Sequence, residues 1–506
     1  MLTLLAFRHL LVRKLRALFL LFGFSLGVGV MIVLLSVGEA MLDQARDVSL
    51  VGGGEVTVLP QGIDVEAMRT GGLSGMYFGI DRARFLTRQA LGGPRHGKLI
   101  RSVSPVIEGK LLYLRHGDRM VAVRAGGEIP SRARAVGSGL DVHSGRWDDS
   151  PADSAYVAPT PQQFYDQLDR FHLPPRPDSA WGEWHYFNLV VAPNEWWYVT
   201  YLIGGEVQPP SGTASRWGGQ LLVTHRQPDG RYQRFNLPVP PARIEFDTSR
   251  ADLTLGESSV RQRNGKYHIR ARIPGRTQPL RIDVTLTPRP NRYFPPVELR
   301  AGEFLSGYVV PALDATASGT ICSGSRCRSF DGAPAYHDHN WGVWRDVTWE
   351  WGTARGSRLS LLYGGVYGPD RDTSSAVTSP FFLTLVDSLG VRQVLRFGQI
   401  RYEGEGPDRF SLTAARNADT VRLEVRVLDA LATEMTASKF RRVFLQMRGR
   451  FTVNGKVLGE TVADSGTGFF ETYVTGGPKK RAQRLLPRIP PAQDPRVRTP
   501  STAPRR

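Results

Sequence analysis

From Trp181 to about Thr475 the chain runs through one short segment after another in which apolar and polar residues alternate. A period of two belongs to half-buried strands and is foreign to helices. Residues 196–202, 219–225, 280–286, 381–386 and 421–427 read as strands on this basis. Asp229-Gly230, Asn264-Gly265 and Asn454-Gly455 sit among them as hairpin signals, because these pairs accept the positive φ that tight turns demand. Nearly 300 residues of such strands predict a mainly β fold built as two barrel-like or sandwich-like units. The break around Ser318–Gly332 suggests domains at 181–318 and 319–475.

A chain of 506 residues is too long for one core. Residues 39–160 carry short strands, among them Glu55–Leu59 and Met120–Arg124, with glycine-rich turns between. Pro159, Pro161, Pro174, Pro175 and Pro177 mark a linker at 161–180 around a short helix at Gln162–Arg170. Residues 476–506 are basic, proline-rich and without apolar pattern, which predicts disorder. The formal charge is +18, but about twelve of these charges lie in residues 1–16 and in the tail. With no zinc-finger, RNP or basic-helix pattern beside them, nucleic-acid binding is not expected.

The termini point to a membrane instead. No charged residue occurs from Ala17 to Gly38, 22 residues that reach roughly 33 Å as a helix, against about 30 Å of hydrocarbon. No small-residue cleavage site follows, so a retained single span at 17–38 is expected. Arg8, Arg13, Lys14 and Arg16 precede it and Glu39, Asp43 and Asp47 follow. That asymmetry places residues 1–16 in the cytoplasm and everything after residue 40 outside it. Gly23-x-x-x-Gly27 and Ser25-x-x-x-Gly29 offer a small-residue face for a second helix. Cys322 and Cys327 are the two cysteines; outside the cytoplasm they could close a short disulfide loop, free thiols being the alternative.

The chemistry concentrates in Ala335-Tyr-His-Asp-His-Asn-Trp-Gly-Val-Trp344. In an extended segment Tyr336, Asp338 and Asn340 share one face, and His337, His339 and Trp341 the other. Nine of the ten tryptophans fall between Trp181 and Trp351, so apolar walls with polar handles surround this segment in sequence. Asp338 and Tyr336 are the candidate catalytic pair, facing a pocket lined by some of Trp184, Trp197 and Trp344. Burial among Trp341, Trp344 and Trp197 would keep Asp338 protonated, and Tyr336 and Asn340 could orient the acid or a water. The competing reading is a polar seam in a β protein, with Asp338 capping a turn or paired with Arg345. His337-x-His339 could hold a metal with His185 or Glu183, yet such a pair without an assured third ligand is more often structural. No metal or other cofactor is assigned, and His337, His339, His185, Glu183, Asn340 and Trp341 are taken as ligand-binding. No nucleophile elbow, phosphate loop or HExxH helix occurs.

Two resemblances extend this reading. Ala6–Arg16, the helix after it and Gly53–Pro60 resemble the start of the permease subunits of MacB-type ABC exporters. Those permeases need further spans, which this chain lacks, so the resemblance implies an anchor and a small α/β extracytoplasmic domain beside transporter subunits. Glu195-Trp-Trp-Tyr198, Ala335–Gly342 and Gly468-Phe-Phe-Glu471 resemble the AttH and carotenoid 1,2-hydratase superfamily of tandem lipocalin-like domains, over about 290 residues. In the hydratases an acid in the central motif protonates an isolated double bond, and Asp338 occupies that position. His337 stands where the hydratases are expected to carry an aromatic residue. The resemblances imply a membrane-anchored, extracytoplasmic protein binding an apolar lipid, isoprenoid or polyene beside ABC-type ATPase and permease subunits. The alternative is an acid-catalysed hydratase or cyclase with Asp338 as proton donor.

Overall fold

A computed structural model of the chain describes residues 14–46, 56, 58, 80–95, 97–136, 149–153, 161–172, 180–206, 218–275, 278–301, 304–343, 348–367, 381–403, 408–435 and 442–475. They fall into two units, described separately. The N-terminal unit contains helix α1 (Lys14–Arg46), helix α2 (Ile80–Gly92), the strands β1 (Val106–His116) and β2 (Arg119–Glu128), and helix α3 (Pro130–Ala135). Helix α1 is continuous through the uncharged run and exposes Leu18, Phe19, Leu21, Phe22 and Phe24. Among the described residues no helix is long and apolar enough to cross a membrane. Within α1 the unbroken stretch of described side chains runs only from residue 21 to 37. Met120–Arg124 lies in β2, paired antiparallel with β1. Residues 55, 57 and 59 of the other expected strand, and the tail from 476, lie outside the described residues.

The larger unit opens with helix α4 (Pro161–Leu168) and continues almost wholly as strands. The first sheet contains β3 (Ala180–Ala192), β4 (Glu195–Glu206), β5 (Gly218–Arg226), β6 (Tyr232–Val239), β7 (Ile244–Phe246) and β8 (Leu253–Leu255). It also contains β9 (Ser258–Arg263), β10 (Lys266–Ile273), β11 (Leu280–Pro288), β12 (Phe294–Ala301), β13 (Phe304–Ser323) and β14 (Arg326–Val343). The second comprises β15 (Thr348–Gly356), β16 (Ser360–Tyr367), β17 (Phe382–Asp387), β18 (Gly390–Arg396) and β19 (Arg401–Glu403). It is completed by β20 (Arg409–Arg416), β21 (Asp419–Met435), β22 (Arg442–Val457) and β23 (Glu460–Thr475).

The first sheet runs β6-β5-β4-β3-β14-β13-β11-β10-β9-β8-β7, with β12 on β13. It curls on itself: a Cβ added to Gly219 of β5 would come 2.7 Å from Leu255 and 3.1 Å from Ile244, on the far edge. The second runs β18-β17-β16-β15-β23-β22-β21-β20-β19, and a β18–β20 pairing at Arg396 and Ala415 closes the ring. Closing a sheet removes its edges and encloses a core. Each barrel has its own, built around Phe187, Val199, Ile269 and Ile282 in the first and Leu383, Leu423, Met447 and Phe470 in the second. Two successive antiparallel barrels fit the tandem lipocalin-like architecture.

A third apolar cluster joins the barrels. Tyr186, Trp196, Tyr198, Phe294, Val310, Leu313 and Tyr336 of the first meet Trp351, Leu362, Phe382, Val386 and Phe469 of the second. Phe294 and Phe382 stack with centroids 5.0 Å apart, and Tyr198 meets Phe469 edge-on at 5.4 Å. Strands β3 and β4 and the 335–342 stretch of β14 are therefore buried on both faces, which is why Trp196-Trp197-Tyr198-Val199 is apolar without interruption.

Three expectations are corrected. The sheets do not divide at 318/319: the cysteines pair, as a disulfide, in the β13–β14 turn inside the first sheet, and the crossing to the second falls at 344–347. Asn454-Gly455 is no turn; it lies within β22, where Gly455 lets Thr420 and Val421 of β21 approach, and the chain reverses instead at Leu458-Gly459, both at positive φ. Residues 161–172 are not a free linker. Phe171 and Asp169 are fully buried in the first barrel, Tyr165 packs on the same core, and Gln162 bonds to Gln262.

That last packing bears on where the β unit can be cut. A fragment starting at residue 158 should fold as a β protein, whereas one starting at 180 loses the burial of Phe171, worth about 1.5–3 kcal/mol, along with the partner of three buried histidines. Thermal unfolding monitored by circular dichroism should show the shorter fragment clearly less stable; equal midpoints would mean the segment adds nothing to the barrel.

Candidate functional site

Strand β14 pairs with β3 without a register break from Ala335–Leu189 to Gly342–Gly182. Regular alternation then sends Tyr336, Asp338 and Asn340 to the layer between the barrels and His337, His339 and Trp341 into the first barrel. All of these but the half-buried Asn340 are buried, so the motif is neither a solvated loop nor a one-sided seam.

On the inter-barrel face Asp338 is 3% exposed. Tyr336 donates to its Oδ2 over 2.8 Å, the Tyr308 hydroxyl lies 3.4 Å from the same oxygen, and Asn340 Nδ2 donates to its Oδ1 over 3.0 Å. The two tyrosine hydroxyls lie 2.9 Å apart, and Trp351 of the second barrel donates to Tyr308 over 2.8 Å. Because the indole only donates, the chain of hydrogen bonds runs from Trp351 through Tyr308 and Tyr336 to Asp338. Among the described residues Asp338 has no ion-pair partner; Arg345 lies outside them. Burial pushes its carboxyl well above the ordinary range, and the charge of Glu471 adds to the push. Burial likewise holds Tyr308, Tyr336 and Tyr186 in their phenol form.

Glu471 faces Asp338 from the second barrel. It accepts from Trp349 over 2.9 Å, Gln446 over 3.2 Å and Tyr186 over 3.4 Å. Burial raises its carboxyl too, opposed by these three donors. Two further polar groups on this layer have no hydrogen-bond partner: the Tyr198 hydroxyl and the whole Asn188 amide, opposite one another on β4 and β3, with Tyr336 beside Asn188. Buried groups of this kind are costly unless something fills their bonds. Arg448 lies 4.4 Å over Phe469 and 5.3 Å over Trp196.

The opposite face of β14 serves a different cluster. Asp169, brought in by the turn after α4, is fully buried with His185, His337 and His339. Its Oδ1 is 2.7 Å from His339 Nδ1, and its Oδ2 is 3.0 Å from His337 Nε2 and 3.8 Å from His185 Nδ1. Tyr267 donates to Oδ2 over 2.7 Å. His339 Nε2 lies 2.9 Å from Glu183, whose Oε1 also takes His172 Nδ1 at 3.0 Å. Burial alone would neutralise His339, but Asp169 and Glu183 on its two sides push it up to about 9. Burial drives His185 well down, so its ring is neutral. Trp341 closes this end, stacked on His172 at 3.9 Å and donating to Glu298 over 3.1 Å. It needs Gly307 directly opposite, since a Cβ there would sit 1.9 Å from the indole.

The expected site residues thus separate into two groups. Tyr336, Asp338, Asn340 and, at its margin, Trp184 belong to the layer between the barrels. His337, His339, Trp341, His185 and Glu183 belong to the first barrel's interior. Trp197 does not line the Asp338 layer; it points the other way, stacked on His225 at 3.6 Å. Trp344 lies outside the described residues. Sequence reasoning did not find Tyr308, Trp351, Tyr186, Asn188, Tyr198 or Asp169. Glu471 was visible only as the end of Gly468-Phe-Phe-Glu471, with no role attached.

No protein-family model matches the chain, and no curated protein matches it. Among solved structures it is similar to a protein described as AttH from Nitrosomonas europaea, at 16% identity, 60% of this chain, 95% of that one and a TM-score of 0.41. It is also similar to CghA crystallised with Sch210972, at 12% identity, 63% and 97% coverage and a TM-score of 0.43. A third is kievitone hydratase from Nectria haematococca, at 14% identity, 60% and 91% coverage and a TM-score of 0.36.

Proposed function

We propose that this chain catalyses acid-initiated addition of water to, or cyclisation of, an isoprenoid or polyene held between the two barrels, with Asp338 as the proton donor. One observation carries the reading: Asp338 is buried among aromatic rings with no ion-pair partner among the described residues, and burial outweighs the donors and the His339 charge that act to lower its pKa. A carboxyl in that setting keeps its proton at neutral pH, as a general acid must. A binding protein has no use for such a group, which is costly to bury.

The steps follow from the arrangement. The Asp338 O–H proton passes to one alkene carbon, the π pair forms the new C–H bond, and a carbocation is left on the neighbouring carbon. The faces of Trp351, Tyr186 and Tyr336 stabilise that charge. Water then forms the C–O bond and gives up a proton to Glu471, the carboxyl less strongly pushed up of the two. In a cyclisation the π pair of a second double bond forms a C–C bond to the cation, and the new cation ends by losing an adjacent C–H proton to the Asp338 carboxylate, leaving a cyclic alkene. The Asn188 amide and Tyr198 hydroxyl hold the polar end of the substrate or the attacking water. A proton returns to Asp338 through solvent or the tyrosine hydroxyls.

Helix α1 carries the uncharged run 17–38 with basic residues before it and acidic residues after, and we read it as a single membrane anchor with the barrels on the far side. An apolar substrate partitions into a membrane, so an anchored enzyme meets it there. Partnership with ABC-type transporter subunits rests on the resemblance of the first 60 residues alone.

Asp338→Asn keeps the shape and removes the acidic proton. Turnover of polyene or isoprenoid alcohols should fall about 10²- to 10⁴-fold while ligand binding persists. The wild-type rate should hold well above pH 4 and fall only as pH rises through the raised Asp338 value. Folded Asp338 binds its proton more tightly than the unfolded chain does, so stability declines as pH rises from the ordinary carboxyl range up to the raised folded value, at lower pH than the fall in rate, and the Asn variant should be no less stable at neutrality. In D2O the product should carry deuterium on carbon. Ligand binding with no turnover of any polyene would leave a binding protein.

Glu471→Gln should spare protonation and impair water capture, shifting products from alcohols toward isomerised or cyclised alkenes. An unchanged product ratio would remove Glu471 from the reaction. Cysteines placed singly beyond residue 40 should react with membrane-impermeant maleimide from the extracytoplasmic side; labelling from the cytoplasmic side alone would end the proposed topology.

A further inference from the structure

In the first barrel, away from Asp338, one fully buried imidazole, that of His185, has no hydrogen-bond partner on either nitrogen. His337 Nδ1 lies 3.1 Å from the Tyr186 carbonyl oxygen and its Nε2 lies 3.0 Å from Asp169 Oδ2. Both neighbours are acceptors, so with Nδ1–H donated to the carbonyl, Nε2 is aimed at the carboxylate oxygen, where a proton or a bound cation completes the contact. His185 meets the same oxygen from β3.

We propose that Asp169, His185 and His337 form a binding site for one divalent transition-metal ion, with zinc the best match. One ligand atom from each of the three lies within 4.8 Å of the others. Bonds of about 2.0–2.1 Å in a tetrahedral zinc site place ligand atoms about 3.3 Å apart, between the 3.0 Å and 3.8 Å that separate Asp169 Oδ2 from the two imidazoles. The surroundings suit such an ion. A ligating histidine ordinarily donates its other N–H to a carbonyl or carboxylate, as His337 Nδ1 is placed to do with Tyr186. Tyr267 donates to the ligating carboxylate, and Phe187 stacks on His337 at 4.3 Å. The neighbouring group of His172, Glu183 and His339 shares similar distances, but both His339 nitrogens have hydrogen-bond partners, unlike those of His185. The three ligands are wholly buried, so the ion enters as the barrel folds. It fastens the segment after α4 to β3 and β14, a structural role separate from the proton chemistry on the other face.

The test uses the full-length chain, purified in detergent without a histidine tag. Plasma mass spectrometry should find about one equivalent of zinc per chain after gel filtration. Chelation under mild denaturation should remove it and lower the melting temperature, and added zinc should restore both. Cobalt substitution should give tetrahedral visible bands, and X-ray absorption should show oxygen and nitrogen scatterers with two imidazoles. His185→Gln should lose the ion, whereas His339→Gln, outside the triad, should keep it. If His185→Gln does not fold, the absorption spectrum of the wild-type protein decides by its imidazole count. Absence of any transition metal, with no response of the apo chain to zinc, cobalt, manganese or iron(II), overturns the proposal. Retention of the ion by a folded His185→Gln chain overturns it equally.

Discussion

Burial of the Ala335–Gly342 stretch of β14 on both faces is the constraint from which the rest of the larger unit follows. A strand in a half-exposed sheet can discharge its polar side chains into water. This one cannot, because one face closes the first barrel and the other meets the second. Every polar group it carries must therefore find a partner within the protein. Asp338 finds two phenols and an amide; His337 and His339 find Asp169 and Glu183. The density of titratable residues in this strand is tolerable only because α4, β3, β13 and the second barrel supply those partners.

The inter-barrel layer takes its chemistry from the same constraint. Trp351 comes from the second barrel and Tyr308 from the first, so the hydrogen-bonded chain that ends on Asp338 is complete only when the barrels are docked. Tyr186 and Glu471 repeat the arrangement in the other direction. The aromatic rings between them exclude water and lower the local dielectric, and that burial outweighs the opposing pull of the hydrogen-bond donors and of His339 and keeps the Asp338 proton in place. Docking and acidity are thus one event: separation of the barrels would hydrate Asp338 and return it toward an ordinary carboxyl.

The alternation of β14 was legible from sequence, because a period of two needs no tertiary information, and it divided Tyr336, Asp338 and Asn340 correctly from His337, His339 and Trp341. The barrels were legible for the same reason. Partners brought by distant strands were not: Tyr308, Tyr186 and Asn188 sit in strands whose local pattern marks them only as half-buried. Asp169 was hidden by the prolines around it, which read as linker while the segment between them entered a core. Asn454-Gly455 misled because glycine also permits close approach between strands, and that need prevailed over the turn. The cysteine loop gave a plausible domain boundary, yet a hairpin end and a domain end share the same local composition.

The regular pairing of Ala335–Gly342 with β3 has a consequence for how the protein can change over time. Even-numbered positions in this stretch meet the inter-barrel layer and odd-numbered ones the imidazole cluster. Substitutions at one set can therefore alter the layer between the barrels while the other set holds the first barrel together, and the two can drift almost independently. Insertions have no such freedom. A single residue added within the stretch would exchange the two sets, turning imidazoles toward the aromatic layer and the acid toward Asp169. Lineages of this architecture should tolerate varied composition here far better than varied length, with indels confined to the turns beyond Val343 and around Cys322–Cys327.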